Sequence, residues 1–144
     1  MASTISYDSS YDRTGGLQNP AGGFISATFD AAVQNMGIAD IWQGLSIPAG
    51  MMVHDVGVIV LTVEDSTCTL DVGITGETAD GFLDGIDLEV LGTGAAGAYC
   101  SSSDGSEYKG GRYFATADTI DFKFVAAADT VKFIAYAHVS KPRV

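Results

Sequence analysis

The sequence predicts an all-β fold, a single-domain antiparallel β-sandwich that we expect to be jelly-roll-like, with an extended N-terminal arm. Apolar and polar residues alternate with period two in several short segments after residue 23, as in half-buried strands. Glycine occurs 18 times and proline 3 times, which is typical of a chain with many tight turns. No long amphipathic helix pattern separates these segments, so sheets must supply the core.

Composition limits the classes of function. A chain of 144 residues is long enough for one domain with a real core, and its 47% hydrophobic and 17% charged residues exclude a wholly disordered chain. The net charge of −11 disfavours nucleic acids and anionic membranes as partners. It is compatible with a protein that docks on a basic partner surface.

Targeting signals and a disulfide framework are not evident. The N-terminus has no basic start followed by an apolar run, and no apolar stretch approaches the roughly 20 residues of a membrane span. We therefore expect synthesis in a cytosol. Cys68 lies in an alternating run and is expected in the core, whereas Cys100 lies in a Ser/Gly-rich stretch. Whether the two cysteines pair stays open.

The arm is predicted over residues 1–23, which are polar and rich in turn residues. A solvated tail is the alternative. Tyr7 and Tyr11 are unusual for such a tail, and they are candidate anchors on a neighbouring subunit.

The sandwich domain is predicted over residues 24–144. It begins with a strand at Phe24–Phe29, which turns Ile25, Ala27 and Phe29 to one face. Asp30–Gly37 is either one helical turn or a plain loop. A strand over Ile38–Ile47 carries Trp42, which we expect in the core or at a subunit contact.

Met52–Glu64 is the strongest strand signal, and both of its faces are largely apolar. It is predicted as a central strand or one buried at a subunit contact, with a bend or bulge at Gly57. We expect an antiparallel hairpin with Thr67–Ile74. The candidate contact residues of the long strand are His54, Val56, Val58 and Val60.

A Gly/Ser/Asp-rich insertion is predicted around residues 75–111, with a short edge strand at Ile86–Val90. Strands resume at Tyr113, at Thr119–Val125 and at Thr130–Val139. In the last two, the inward residues are predicted to be Ile120, Phe122, Phe124, Val131, Phe133, Ala135, Ala137 and Val139.

Catalytic and cofactor signals are weak, and we predict neither an enzyme nor a cofactor. The two histidines, His54 and His138, are expected to face outward, and no Gly-x-Ser-x-Gly motif is present. A zinc set of these histidines with Cys68 and Cys100 lacks any motif spacing.

The loop residues Asp80, Asp84 and Asp87 are the metal candidates, because oxygen-rich loops with glycine turns suit calcium. Aspartates in such loops also serve as turn formers. Aromatic residues could stack on sugars, as in a carbohydrate-binding sandwich, although Trp42 is expected rather in the core or at a subunit contact. The candidates are Tyr7, Tyr11, Trp42, Tyr99, Tyr108, Tyr113 and Tyr136.

Turn and strand phrases between Ile38 and Val139 resemble tailed-bacteriophage capsid decoration (cement, head-stabilising) proteins. The phrases are Ile47-Pro48-Ala49-Gly50, Thr69-Leu70-Asp71-Val72-Gly73, Asp80-Gly81-Phe82-Leu83-Asp84-Gly85 and Ala117-Asp118-Thr119-Ile120-Asp121-Phe122. The resemblance implies a β-sandwich made in the host bacterial cytoplasm that binds and stabilises the capsid exterior. It implies two partners, the major capsid protein of the same phage and copies of itself as a trimer or dimer. The alternatives are a head fibre or tail protein, or a carbohydrate- or receptor-binding module.

Overall fold

The computed structural model describes residues 4–6, 23–89, 98–100 and 107–142, with the backbone alone for 4–6 and 98–100. These ranges contain strands, turns and loops and no helix, and thus no helix that could cross a bilayer. The strands are β1 (Thr4–Ser6), β2 (Gly23–Asp30), β3 (Ile41–Ile47), β4 (Met51–Thr62), β5 (Thr69–Gly73), β6 (Leu83–Asp87), β7 (Ala98–Cys100), β8 (Arg112–Phe114), β9 (Asp118–Phe124) and β10 (Lys132–Ser140).

The strands form two sheets, and the predicted all-β sandwich is confirmed. Sheet A has the order β1-β3-β9-β5-β6, and sheet B has the order β2-β10-β4-β7, with β8 paired to the start of β4. All pairings between named strands are antiparallel except that of β1 with β3. The jelly-roll connection stays a prediction.

Part of the predicted arm belongs to the sandwich. Residues 4–6 pair with β3 as an edge of sheet A, and Gly23 already begins β2. Tyr7 and Tyr11 lie outside the described residues, so their role as subunit anchors stays a prediction.

The core lies between the sheets and centres on five aromatic rings. The ring of Phe29 lies 5.1 Å from that of Trp42, 5.0 Å from Phe124 and 5.2 Å from Phe133, measured between centroids. Phe122 lies 5.1 Å from Trp42. Trp42 is therefore a core residue, and its candidacy as a subunit contact is corrected: the chain itself covers 98% of it.

Val56, Val58 and Val60 are buried in the same core, so their candidacy as subunit contacts is also corrected. The cause is a change of parity along β4. The pairing with β10 shifts register twice, once at His54 and once at Leu61, and such bulges re-aim side chains. Met51 and Val53 point inward before the first shift and the even-numbered valines after it, so the odd-numbered Ile59 and Leu61 point outward.

Gly57 is not the predicted bend. It pairs regularly with Tyr136 inside the ladder. A Cβ atom on Gly57 would lie 2.3 Å from both Cζ and the hydroxyl oxygen of Tyr136. Glycine is used here because the tyrosine ring lies across the outer side of β4.

The predicted hairpin of the long strand with Thr67–Ile74 is wrong, because β4 belongs to sheet B and β5 to sheet A. The segment between them bonds to the chain after β6. Glu64 N donates to the Leu88 carbonyl, and Leu88 N donates to the Cys68 carbonyl. These bonds fix the path of the chain as it passes from β4 in sheet B to β5 in sheet A.

Two further segments were left undecided by the sequence, Asp30–Gly37 and the insertion around residues 75–111. Residues 31–34 form a turn rather than a helix, in which Val33 N and Gln34 N both donate to the Asp30 carbonyl. The predicted insertion contains β6 at the edge of sheet A, three residues earlier than expected, and the short β7 on sheet B.

The loop over sheet A, residues 74–82, connects β5 to β6, and Gly73 provides a direct test of how it packs on the sheet. A Cβ there would lie 2.0 Å from the Thr78 carbonyl oxygen and 2.5 Å from the Ala79 carbonyl carbon. Because these are backbone atoms, Gly73→Ala must displace the loop, and we expect a loss of about 2 kcal/mol in unfolding free energy. Gly110→Ala is the matched control, with nothing within 4 Å of its Cβ; urea titration showing equal stabilities would contradict the packing.

Candidate functional site

The outward side of sheet B carries a continuous set of aromatic and apolar side chains. We call it the aromatic face and define it by Phe24, His54, Ile59, Ile134, Tyr136 and His138. These side chains come from three neighbouring strands. On β10, Ile134 pairs with Ile59 of β4, and His138 pairs with Phe24 of β2. Side chains that share a side of paired strands are neighbours.

Ring contacts order one end of this face. The Phe24 ring stacks on His138, with centroids 4.7 Å apart and planes 13° apart, and it lies 6.5 Å from Tyr136. The His138 ring lies 5.5 Å from His54. Phe24 nevertheless remains 68% exposed, and because Tyr136 and His138 beside it are also partly exposed, the exposed surface is a patch rather than a single ring.

His54 reaches this face because it follows the inward-pointing Val53 on β4. The register shift places His54 beside β10, where its Nε2 lies 2.6 Å from the Ser140 hydroxyl oxygen. The outward position predicted for His54 agrees with its exposure, and His138 also lies on the outer side of its strand. The role of His54 as a subunit-contact residue stays a prediction.

Charge on the aromatic face is nearly balanced. Lys132 Nζ lies 3.7 Å from Asp30 Oδ2 across the β10–β2 pair. Asp55, beside His54, is the other carboxylate on the strands that form this face. An exposed pair of this kind stabilises little, but it leaves the three strands of this face with one carboxylate more than they have basic residues.

The outward side of sheet A is acidic. Asp71, Asp84, Asp87 and Asp121 lie on its strands, with Lys123 as the basic residue opposite Asp71. Burial raises the pKa of Asp71, an effect opposed by the Gly85 amide and reinforced by the charges of Asp84 and Asp80. Among the described strands, the outer side of sheet A is therefore more acidic than the aromatic face.

The predicted metal loop is not assembled. Among the described residues, one set of three brings ligand atoms within 4.8 Å of one another, and it is Glu64, Asp65 and Asp129. Asp80, Asp84 and Asp87 therefore do not converge, and their candidacy is corrected. Asp87 Oδ1 instead accepts from Glu89 N at 2.9 Å, the turn-forming role that aspartate has in such loops.

Glu64 is a buried carboxylate that the sequence pattern indicated only as the last residue of the long strand. It is 1% exposed and accepts hydrogen bonds from Thr130 N at 3.0 Å, Val131 N at 2.9 Å and Asp129 N at 3.4 Å. These bonds fix the chain as it enters β10. Because its oxygens are used in this way, Glu64 acts as a structural group.

A cavity of about 270 Å³ lies over sheet A, bordered by Ile41, Thr75, Lys123 and the buried Asp121. The Asp121 oxygens accept from Thr75 N at 3.0 Å and the Thr119 hydroxyl at 2.6 Å. The carboxylate thus holds the covering loop to the sheet. Neither histidine reaches this cavity, because both lie on the outer side of sheet B.

The other candidate groups are separated as well. Cys68 is a core residue as predicted, its thiol donates to the Ala126 carbonyl, and burial raises its pKa, which keeps the unreactive thiol form. Cys100 and Tyr99 have only their backbone described. Tyr108 packs on Phe82 at 4.9 Å, so it forms no common sugar platform with Tyr136.

One ionic contact joins the loop over sheet A to β8. Arg112 Nη2 donates to Glu77 Oε1 at 2.6 Å, and the Tyr108 hydroxyl donates to Glu77 Oε2 at 3.0 Å. The guanidinium also lies 4.8 Å from the Phe114 ring centroid. Hydrogen bonding from Arg112 and then Tyr108 lowers the pKa of Glu77. These contacts hold Glu77 to Arg112 and Tyr108 at the surface of the protein.

The described residues thus form a β-sandwich in which the two buried carboxylates accept structural hydrogen bonds. The fold is similar to that of a chain in the capsid of Ralstonia phage GP4, with a TM-score of 0.57 and 13% identity over 98% of this chain and 99% of that one. It is also similar to a chain in the acidic stable capsid structure of Helicobacter pylori bacteriophage KHP30, with a TM-score of 0.55 and 15% identity over 82% and 86%. No family model and no curated protein sequence matches the chain.

Proposed function

We propose that this chain is a structural virion protein that binds the outer surface of a bacteriophage capsid as a homo-oligomer and stabilises the shell. The observation that carries the proposal is the likeness in fold, over nearly the whole of both chains, to a chain in a phage capsid. Because the match covers nearly all of both chains, it compares the entire sandwich rather than one common motif. The partner would be the major capsid protein of the same phage.

Charge supports a position outside the shell. The chain carries −11, and sheet A concentrates carboxylates on its outer side. Packaged DNA would repel such a surface, whereas solvent would accommodate it. The acidic side would therefore face away from the packaged genome.

Adhesion rather than chemistry is supported by the placement of the reactive side chains. In the described residues the buried thiol and the two buried carboxylates lie away from the histidines, and the contact between His54 Nε2 and the Ser140 hydroxyl oxygen at 2.6 Å is exposed on the outer side of sheet B rather than enclosed in a cleft. A nucleophile, its base and an orienting group need to lie within hydrogen-bond reach of one another. We therefore propose a non-enzymatic role, in which many weakly bound copies give strong total attachment to a shell.

The proposal is tested by adding the purified chain to empty shells of its phage that lack it, followed by sedimentation. We expect a saturable number of chains per shell and a higher temperature of shell disruption. Pelleting no greater than that of the chain alone would contradict the proposal. Binding to tails or head fibres alone would favour another virion component, and binding on a glycan array would favour a carbohydrate-binding module.

A further inference from the structure

We infer that the aromatic face is the surface through which two copies of this chain associate. The inference rests on the self-association within the proposed function, and it is independent of shell binding. It follows from three features of this face, namely its exposed apolar side chains, its charge and its dimensions.

Exposed rings indicate that this face is covered in the functional state. Phe24 is 68% exposed although it is stacked on His138, and Leu61 at the far end of β4 is 47% exposed. Between these ends, Ile59, Ile134 and Tyr136 are only partly covered by the chain. An apolar surface of this extent, spanning three strands, is typical of an interaction site.

Of the outer sides of the two sheets, the aromatic face is the one at which a second copy would meet less repulsion. Two chains of −11 repel each other, but at physiological salt a charge acts over only about 8 Å. The charges that decide association are therefore those at the contact. The strands of the aromatic face carry Asp30, Asp55 and Lys132, whereas the outer side of sheet A carries Asp71, Asp84 and Asp87 against Lys123.

The dimensions of the face set the expected strength. Three paired strands of nine or so residues measure roughly 15 Å by 30 Å, so a twofold contact would bury about 900 Å² in total. Specific interfaces start slightly above this area. The isolated chain is therefore expected to form a weak dimer, observable at chain concentrations of tens of micromolar and above.

The test is sedimentation equilibrium of the full chain at 100 μM with paired variants. Phe24→Asp should weaken the dimer at least tenfold, whereas Ile38→Asp, which adds the same charge at a residue 73% exposed outside the face, should leave it unchanged. Ser26→Arg, an addition on the outer side of β2, should also weaken it, and Ser66→Arg in an exposed turn should not. Thermal melts confirm that each variant is folded.

Several results would overturn the inference without touching the proposed function. They are a monomeric parent chain at 100 μM, a dimer that survives both Phe24→Asp and Ser26→Arg, and a dimer strengthened tenfold between 50 and 500 mM salt, as an acidic contact would be. A monomeric chain whose Phe24→Asp variant loses binding to shells would assign the face to the capsid protein instead. Shell binding by a chain that does not self-associate would leave the proposed attachment standing.

Discussion

Phe133→Ala is expected to lower the free energy of unfolding by about 4 kcal/mol, the typical cost of removing a phenylalanine from a packed core. Phe133 is fully buried on β10 and lies within 5.2 Å of Phe29 and 5.7 Å of Trp42 between ring centroids. The cavity would open where the two sheets meet, so neither sheet could close it alone. The melting temperature should fall by roughly 10 °C.

Ile38→Ala is the matched control for this substitution. Ile38 is 73% exposed, so its truncation should change stability by no more than about 0.5 kcal/mol. Urea denaturation followed by tryptophan fluorescence suits the comparison, because Trp42 is the single tryptophan of the chain and packs in the same cluster. Equal stability of the two variants would contradict the described core.

Glu64→Ala is expected to cost about 3 kcal/mol, because it leaves the amides of Thr130 and Val131 without their acceptor. Leaving buried polar groups unsatisfied costs about 1–3 kcal/mol each. Glu64→Gln should cost less, since its carbonyl oxygen can replace the one carboxylate oxygen that accepts from both amides. The readout is again the free energy of unfolding in urea.

Asp65→Ala provides the control for charge. Asp65 is the neighbouring residue and is exposed, so its replacement removes the same negative charge and no buried acceptor. We expect a change within about 0.5 kcal/mol. If Asp65→Ala and Glu64→Ala changed stability equally, the effect would arise from net charge, and the account of Glu64 as the anchor of β10 would be wrong.

Which side chains face the core could be predicted wherever a strand is regular. The inward sets Ile25, Ala27 and Phe29 on β2 and Ile120, Phe122 and Phe124 on β9 are confirmed. Period-two alternation reports burial on one side of a strand and is local in sequence. The same argument failed for the long β4, because the register shift at His54 inverts the inward parity and both parities are apolar.

Pairing between strands could not be predicted in the same way. Alternation specifies which side of a strand is buried but not which sheet it joins, so the chain from β4 to β5 was assigned to a hairpin and instead crosses the core. Glu64 was hidden for a related reason: a carboxylate beside Asp65 and Ser66 has the composition of a solvated turn. Its burial depends on amides more than sixty residues away.

The aromatic face was partly visible in the sequence. His54 and His138 were expected to point outward, and they do. Phe24 was not distinguished from its strand neighbours, because an exposed phenylalanine at a strand end gives no local signal. The register of β10 with β2 brings it onto His138, and register is a property of the folded sheet.

The most direct test of attachment to the capsid exterior is electron cryomicroscopy of shells prepared with and without this chain. The account predicts difference density outside the shell, of the size and shape of the two-sheet sandwich, at symmetry-related positions. Density at the inner surface, density confined to the tail, or shells that are identical in the two preparations would contradict it.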